Sequence, residues 1–482
     1  MSYSVPEKIR KMKPKGTMVK SLNGKYYVYN YKNIKDPETG KWKIKMGDCI
    51  GKISEELGYA PNNVMNELTT KEFGQYRLFE CLSNDVYAEL VETFGNEIGT
   101  EIYLVSLILL VNNFCAISNI QEYFEQSYLS SYFSSISLST HKVRNLLKNL
   151  GQKQVEVTKF QDKLIEESSK KIAIDSHAFS STSNENDLTS YGFKYNDLQE
   201  EQINFMVAYD VEKKQSLATR FFPGNVPDKT SVLDFFSRYS FKNCVFLIDK
   251  GFTNVDYFKI LKDNKYIIPA QNNNAFLASL KIDKRKNKQM IYKTSKDKEL
   301  VEYQAFSMND GKRIICYKNI NEANKLEIKL TSDLQKNPNK YKPDEVDKLK
   351  ENFGKINLIT TTDLTPEEVY LNYKKRWSIE TLFNIYKNQL DFNKIGLQDY
   401  YEIQGLSFIF VIADLLRNRV SKVVKENSGI SFNDAILQCR RIKVHKSGSS
   451  RKVENLTKGV YELLTRLKFC SVYDIRYILP KN

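Results

Sequence analysis

The chain has 482 residues, a length that exceeds one ordinary hydrophobic core and predicts two to four domains. Its 41% hydrophobic and 27% charged residues are typical of a soluble globular protein. The 73 basic residues outnumber the 58 acidic ones, and the net charge of +15 favours a polyanionic partner, either nucleic acid or an acidic membrane surface. A protein that is merely basic and soluble is the alternative.

Cysteine usage and hydropathy exclude several classes of protein. The seven cysteines form no CxxC pair and the chain has only three histidines, so we expect reduced thiols in a cytosolic protein and no Cys/His zinc site. Residues 1–20 are polar and basic, so we expect no secretory signal. The most apolar run, 102–111, is far shorter than the roughly 20 residues of a membrane span and predicts a buried helix.

The first part of the chain predicts two regions of different structure. Residues 18–53 alternate polar and apolar side chains around two turn signals, Asn23-Gly24 and residues 37–40, which is typical of a small antiparallel sheet. From about 71 onward the apolar period becomes helical, and the cations on these helices either dock DNA or are simply solvated. We predict a β-rich region at 1–70 and a helical, DNA-binding region at 71–168.

Residues 169–270 predict an α/β core. The predicted elements are, in chain order, strands at 171–175, 203–209 and 216–222, a helix at 231–239, a strand at 244–248, a helix at 254–261 and a strand at 266–269. The first and fourth strands end in carboxylates, Asp175 and Asp249. This order of elements, with acids in these two places, is that of a ribonuclease-H-like core.

Residues 271–354 interrupt this core with lysine-rich turns and short alternating runs, which predict an inserted, mainly β subdomain. The core resumes over 355–425, where a helix begins on a capping box at Thr365 with Pro366 in its first position. Residues 426–482 predict a helical C-terminal region. The predicted fold class is α/β: a ribonuclease-H-like core with a mainly β insertion, a mixed N-terminal region of a small sheet plus helices, and a helical tail.

The helix after the capping box carries a row of polar side chains, which we call the polar stripe: Tyr373, Arg376, Glu380 and Lys387. On one continuous helix of 3.6 residues per turn, these four lie within roughly 60°. Apolar residues between 379 and 390 form the neighbouring face, which would anchor the helix. A carboxylate, two cations and a phenol in a row suit a phosphate backbone beside a metal ion.

Three acids stand out by position: Asp175 and Asp249 at strand ends and Glu380 on the polar stripe. Singly, each has an ordinary interpretation as a turn cap or a solvated side chain, but their joint placement favours catalysis. Clustered carboxylates repel one another and attract divalent cations, and magnesium prefers a few carboxylates plus phosphate oxygens. Two such ions can activate a water or a 3′-hydroxyl and stabilise the leaving oxygen in phosphoryl transfer.

The spacing Tyr-x2-Arg-x3-Glu-x6-Lys of the polar stripe resembles the YREK signature of bacterial DDE-type insertion-sequence transposases, the IS-four group and its relatives. Residues 174–176 resemble their first acidic motif and residues 248–252 their second, Asp-x-Gly-Phe/Tyr. Residues 222–230 are similar to the segment between the two motifs. The resemblance covers about 165–420, with the motifs in order.

The resemblance implies metal-dependent cut-and-paste DNA transposition. Cleavage at the ends of the element, often through a DNA hairpin, would precede strand transfer into target DNA. Asp175, Asp249 and Glu380 would be catalytic and would hold two Mg²⁺ ions, for which Mn²⁺ can substitute. The implied location is cytoplasmic and nucleoid-associated in a bacterium, with no membrane partner.

The resemblance also implies partners. Tyr373, Arg376 and Lys387 would contact DNA phosphates near the cleaved end, whereas an ordinary amphipathic helix with internal ion pairs is the alternative. The DNA partner would be double-stranded, comprising the terminal inverted repeats and the target, and a homodimer would join the two ends.

Several alternatives stay open at this point. A related metal-dependent nuclease, or a domesticated or inactive transposase that only binds DNA, would share these motifs. His177 is either a ligand or general base beside Asp175, or neither. Aromatic residues of the insertion, Tyr292, Tyr303, Phe306 and Tyr317, either stack a flipped base or form its core.

Overall fold

We describe the protein from a computed structural model. It describes residues 5–36, 40–62, 68–180, 186–192, 201–249, 261, 264–270, 277, 279–280, 284–294, 297–308, 311–337, 341–389, 397–447, 450–453 and 456–467. The chain divides into two compact units. The first comprises residues 1–70 with 445–452, and the second comprises 71–444 with 453–482.

The first unit is built on a four-stranded antiparallel sheet. Its elements are α1 (Glu7–Lys11), β1 (Thr17–Leu22), β2 (Lys25–Lys35), β3 (Trp42–Ser54) and β4 (Gly58–Pro61). The strands follow the order β1-β2-β3-β4, which confirms the small antiparallel sheet predicted there. Asn23 and Gly24 have φ of 48° and 74°, as a two-residue hairpin turn of this kind requires. Ile9, Val28 and Ile53 form a small core under one face of the sheet.

A short strand and six helices follow. They are β5 (Leu68–Glu72), α2 (Gly74–Leu82), α3 (Asn84–Phe94), α4 (Asn96–Val111), α5 (Ile120–Gln126), α6 (Thr140–Gln152) and α7 (Gln154–Glu166). The predicted helical period is confirmed, and the apolar run 102–111 is buried along its whole length within α4. Among the described residues, no helix combines the length and the apolar character that a membrane span needs.

The main sheet begins after these helices. Its first elements are β6 (Lys171–Ser180), β7 (Ser190–Tyr191), β8 (Glu201–Asp210), β9 (Gln215–Pro223), α8 (Asp228–Arg238), β10 (Val245–Ile248) and β11 (Lys265–Pro269). The central order is β9-β8-β6-β10-β11, in which β6, β10 and β11 are parallel and β8 and β9 antiparallel. The predicted strands and α8 are confirmed, whereas the predicted helix at 254–261 lies outside the described residues except for Leu261.

The insertion extends the same sheet. Its elements are β12 (Lys288–Lys293), β13 (Lys298–Ser307), β14 (Arg313–Asn319), α9 (Ile320–Lys336) and α10 (Pro343–Asn352), before β15 (Lys355–Thr360) resumes the core. The order β11-β15-β14-β13-β12 is antiparallel throughout. The prediction of a mainly β insertion is therefore wrong in part, because two helices follow its three strands. These helices bury almost no side chains, Leu330 alone among those described.

The C-terminal part is helical with two short strands. Its elements are α11 (Pro366–Lys375), α12 (Ser378–Gln389), α13 (Tyr400–Ser428), α14 (Phe432–Cys439), β16 (Lys443–Ser447), β17 (Ser450–Val453) and α15 (Lys458–Arg466). The prediction of a helical region at 426–482 is wrong in part, because β16 and β17 join β5 in a third, three-stranded sheet with the order β17-β16-β5.

Helix α13 joins the N-terminal helices to the main sheet. On one side, Gln404 donates from its side-chain amide to the carbonyl of Phe221 at 2.8 Å, and Thr219 donates to the carbonyl of Ser407 at 2.7 Å. On the other side, α13 and α6 approach so closely that a Cβ on Gly405 would lie 1.9 Å from the carbonyl oxygen of Leu147. This contact tolerates no side chain, which is why glycine occupies the helix interior there.

We expect Gly405→Ala to lower the free energy of unfolding by about 1–3 kcal/mol, because the added methyl group must push two helix backbones apart. The matched control is Gly459→Ala in α15, where nothing lies within 4 Å of the new Cβ. Since alanine favours helix over glycine, this control should leave stability unchanged or raise it by up to about 1 kcal/mol. Urea unfolding followed by circular dichroism measures both, and equal effects would contradict the close α6–α13 contact.

Candidate active site

Asp175 and Asp249 come from neighbouring parallel strands. In the register of β6 and β10, Ile174 lies opposite Ile248, so the aspartates that follow them reach the same edge of the sheet. Both strands are buried and apolar up to this point, as expected for strands covered on two faces. Strand β6 continues to Ser180, five residues beyond its predicted end, because β8 still pairs with it after β10 has stopped.

Glu380 arrives at this edge on α12, after a break in the predicted helix. The capping box at Thr365 is confirmed: its hydroxyl accepts from the Glu368 backbone at 3.3 Å, and the Glu368 carboxylate accepts from the Thr365 backbone at 2.8 Å. The prediction of one continuous helix is wrong, since α11 ends at Lys375 and α12 begins at Ser378. Backbone bonds across the junction run between residues three apart, a tighter turn than the α-helix.

Arg376, at this junction, contacts all three acids. Its Nη1 lies 3.3 Å from Oδ2 of Asp175, and its Nη2 lies 3.4 Å from Oδ1 of Asp249 and 3.6 Å from Oε1 of Glu380. The Arg376 side chain is only 7% exposed, whereas those of Asp175, Asp249 and Glu380 are 18%, 43% and 52% exposed. A single buried guanidinium therefore sits among three carboxylates that are progressively more open to solvent.

The surroundings keep Arg376 charged. Burial alone lowers its pKa, but Tyr373, Asp249, Asp175 and Glu380 outweigh burial, and the pKa is raised above its ordinary value. The guanidinium carbon also lies 5.6 Å from the centre of the Tyr373 ring, close enough for a cation–π contact. Its Nε–H is buried with no hydrogen-bond partner among the described residues, so this arrangement leaves one donor unsatisfied.

Tyr373 lies beneath Arg376 and not on the surface. Its side chain is 4% exposed, and burial raises the pKa of its phenol to about 12. The polar stripe is therefore not an exposed row: its first two members are buried, and Glu380 faces solvent. Lys387 lies on α12, but its side chain is outside the described part of the chain.

Two tyrosines of the insertion form hydrogen bonds with the first turn of α11. Tyr303 on β13 donates to the carboxylate of Glu367, and Tyr317 on β14 donates to the carbonyl of Pro366 at 2.6 Å. The rings of Tyr317 and Tyr370 lie 5.0 Å apart. Tyr303 and Tyr317 are buried in these contacts, and in this structure they pack against the helix that leads to Arg376.

The apolar face predicted for the Glu380 helix is confirmed. Ile379, Leu382, Phe383 and Tyr386 are all buried against the core. His177, two residues beyond Asp175 on β6, stacks on the ring of Phe383 with centroids 5.3 Å apart. This contact ties β6 to α12 immediately behind the acids.

The three acids offer the oxygen ligands that a divalent cation prefers. In the described part of the chain, however, no three His, Cys, Asp or Glu side chains form a ready-made metal group. Arg376 is what the acids share instead, because it contacts each of them. The donor set fits a hard divalent cation, provided that the guanidinium gives up its central position.

The pairing of Arg376 with the acids is the feature that sequence reasoning missed. The signal available was the i, i+4 spacing of Arg376 and Glu380, which permits an ion pair on a helix. The spacing says nothing of Asp175 and Asp249, which reach Arg376 only through the fold. Residues 250–252 of the second acidic motif lie outside the described residues.

Comparison with known proteins identifies the segment that contains this site. The family model described as the transposase DDE domain matches residues 166–406, half of the chain. Among solved structures, a piggyBac transposase synaptic complex with hairpin DNA is similar over 82% of this chain and 85% of that chain, at 13% identity and a TM-score of 0.38. A TM-score at this level does not establish a common fold. No curated protein gives a significant match.

We expect Arg376→Gln to destabilise the metal-free protein by about 1–3 kcal/mol, because three carboxylates lose their shared counter-ion and two of them are well solvated. Millimolar MgCl₂ should then raise the thermal midpoint of the variant more than that of the wild type, since the cation no longer competes with the guanidinium. Differential scanning fluorimetry in EDTA and in MgCl₂ measures both effects.

Arg238→Gln is the control, because Arg238 pairs with a single acid, Asp234, on the surface of α8. This substitution should change the thermal midpoint only slightly, and the change should be the same in EDTA and in MgCl₂. An equal response of Arg376→Gln and the wild type to MgCl₂ would contradict competition at the three acids.

Proposed function

Because this chain belongs to the transposase DDE domain family and is a DNA transposase, we propose that Asp175, Asp249 and Glu380 are its catalytic acids. The observation that carries the proposal is the convergence of the three on Arg376, although they come from β6, β10 and α12. Repelling carboxylates brought together from distant parts of a chain are costly unless they serve a cation or a reaction.

The strand order supports a ribonuclease-H-like core for this domain. Three antiparallel strands, β9, β8 and β6, lie beside β10 and β11, which run parallel to β6. Asp175 lies within β6, and Asp249 directly follows β10. The two segments proposed for this core, 169–270 and 355–425, share one sheet, and the insertion at 271–354 lengthens it. We propose the YREK signature of the IS-four-like group as the family subdivision, on the spacing of the polar stripe.

Members of the family use divalent metal ions, and we propose that this chain uses Mg²⁺, with Mn²⁺ as a substitute. Asp175, Asp249 and Glu380 would hold two ions. When bound, such ions lower the pKa of an attacking water or hydroxyl and neutralise charge on the phosphate. The chain's own contribution is positional: the β6–β10 register fixes the two aspartates, and the α12 face against the core fixes Glu380.

We propose that Arg376 exchanges partners as the site fills. Without a cation, its guanidinium contacts all three acids, offsets part of their negative charge and stacks on Tyr373. With divalent cations held by the acids, the guanidinium would be free to bind a DNA phosphate, which offers a bidentate acceptor. Tyr373, Arg376 and Lys387 would then be the DNA-binding residues. The buried ring of Tyr373 would support Arg376, and Lys387, further along α12, would contact another phosphate.

The remaining assignments are also proposals. The cationic helices of 71–168 would bind the terminal inverted repeats, and target DNA would be captured in the same complex. Two chains would act together as a homodimer, because the two ends of an element are processed together. The location would be the bacterial cytoplasm, on the nucleoid.

We expect Asp249→Asn to abolish Mg²⁺-dependent cleavage of a labelled duplex that carries the terminal repeat flanking the gene. Loss of a metal ligand removes several kcal/mol of transition-state stabilisation, which corresponds to about 10³-fold in rate. Duplex binding in EDTA should be unchanged. Denaturing gels measure cleavage, and fluorescence anisotropy measures binding.

Asp85→Asn is the matched control, since Asp85 is an exposed acid paired with Arg419 far along the chain. It should cleave like the wild type. Cleavage by Asp249→Asn at the wild-type rate would disprove the assignment of the acids. If the wild-type protein cleaves the duplex but does not join it to a target plasmid, the result would favour a related nuclease over the transposase reaction.

A further inference from the structure

In the first unit, two strands extend beyond the four-stranded part of the sheet. We define the β2–β3 ribbon as residues 31–35 of β2 paired with residues 42–46 of β3. Strand β1 pairs with β2 only as far as Asn30, and β4 pairs with β3 only from Gly51 onward. The ribbon therefore extends beyond both outer strands as two strands alone, and two-stranded ribbons have little independent stability in water.

The ribbon leaves the sheet at an irregular point. Register shifts separate Val28 from Tyr29 and Tyr29 from Tyr31 in the pairing with β3. Such bulges bend the paired strands and increase their twist, and they often mark places where a sheet is re-aimed for function. Every residue of the ribbon except Tyr31 is exposed.

One face of the ribbon is cationic. Directly opposite residues share a face, and Lys32 lies opposite Lys45, while Lys43 follows on the same face opposite Ile34. Like charges directly opposite destabilise a strand pair. Lys43 contacts Asp36 at 2.5 Å, but no ion pair involves Lys32 or Lys45 within the described residues. An anionic partner would reduce this repulsion between lysines and would stabilise the strand pair.

The other face is apolar and open to solvent. It carries Tyr31 opposite Met46, Asn33 opposite Ile44, and Lys35 opposite Trp42. Trp42, Ile44 and Met46 are 71%, 64% and 43% exposed, an unusual amount for a contiguous row of large apolar side chains. The ribbon thus has a mainly cationic face, which also carries Ile34, and a mainly apolar face, which also carries Asn33 and Lys35.

We propose that the β2–β3 ribbon enters the major groove of duplex DNA. A two-stranded ribbon fits a groove about 12 Å wide, and apolar side chains contact thymine methyl groups on its floor. Lysines come from both strands, Lys32 from β2 with Lys43 and Lys45 from β3, so they reach the phosphates on both rims of the groove.

Charge favours DNA over a second copy of this chain as the occupant. The first 70 residues hold 13 basic and 7 acidic side chains, a large share of the net charge of +15. Two copies of this unit would repel each other, whereas the phosphate backbone attracts it. The proposal needs only that the protein binds DNA, and it does not depend on the assignment of the three acids.

The test is the salt dependence of binding to a short DNA duplex of mixed sequence, measured by anisotropy in EDTA with the full chain. Lys32→Gln/Lys43→Gln/Lys45→Gln should lower the slope of log affinity against log salt by roughly 2–3, because three phosphate contacts are lost. The matched control is Lys8→Gln/Lys11→Gln/Lys25→Gln, which removes three exposed charges of the same unit away from the ribbon. Its slope should change by less than about 1.

A second readout uses Trp42, since the chain has only two tryptophans. In a Trp377→Phe background, saturating duplex should shift the emission of Trp42 to shorter wavelength as its exposed ring is covered. The proposal is overturned if the ribbon variant and the control change the slope equally, or if duplex leaves Trp42 emission unchanged. A shift of Trp42 that follows protein concentration without DNA would also overturn it and identify a second copy as the partner. Asp249→Asn should keep the wild-type slope, which separates this test from that of the catalytic acids.

Discussion

One ion pair network is central to the candidate active site: a buried guanidinium that contacts three carboxylates. Arg376 lies in the break between the two helices, and from there it contacts Glu380 on α12 as well as Asp175 and Asp249 at the edge of the sheet. One positive charge meets three negative charges in this network, and the buried Nε–H of Arg376 has no hydrogen-bond partner among the described residues. A site with this excess of negative charge is suited to reorganise around a divalent cation, as proposed above.

The insertion contacts the helix that leads to Arg376. The insertion adds β12, β13 and β14 to the edge of the core through β15, and its tyrosines bond to the first turn of α11. Helix α11 ends at Lys375, next to Arg376, so the insertion contacts the helix that leads to the guanidinium. A segment that interrupts the core in sequence therefore completes it in space, and its strands cannot be removed without withdrawing support from the active-site junction.

Sequence reasoning anticipated the parts of this structure that depend on local patterns. Apolar runs ending in an acid identified β6 and β10, and Thr365 with Glu368 marked the start of α11, because burial and capping leave direct traces in residue order. It did not anticipate the break at Arg376, since no proline or glycine marks it, and the junction is set by contacts with β6 and β10. It also missed α9 and α10, which lie in a lysine-rich segment and bury only Leu330 among the described residues. The role of Arg376 was invisible because its partners lie far away in the chain.

The division of the active site along the chain has a consequence for protein synthesis. Asp175 and Asp249 leave the ribosome long before Arg376 and Glu380, with the whole insertion between them. Strand β9, at the end of the main sheet, is covered by α13, which is made later still. Until these later segments emerge, a nascent chain holds Asp175 and Asp249 without Arg376, and α13 does not yet cover β9. The three acids can therefore come together only after residue 380 has emerged, so a shorter nascent chain lacks the complete candidate site.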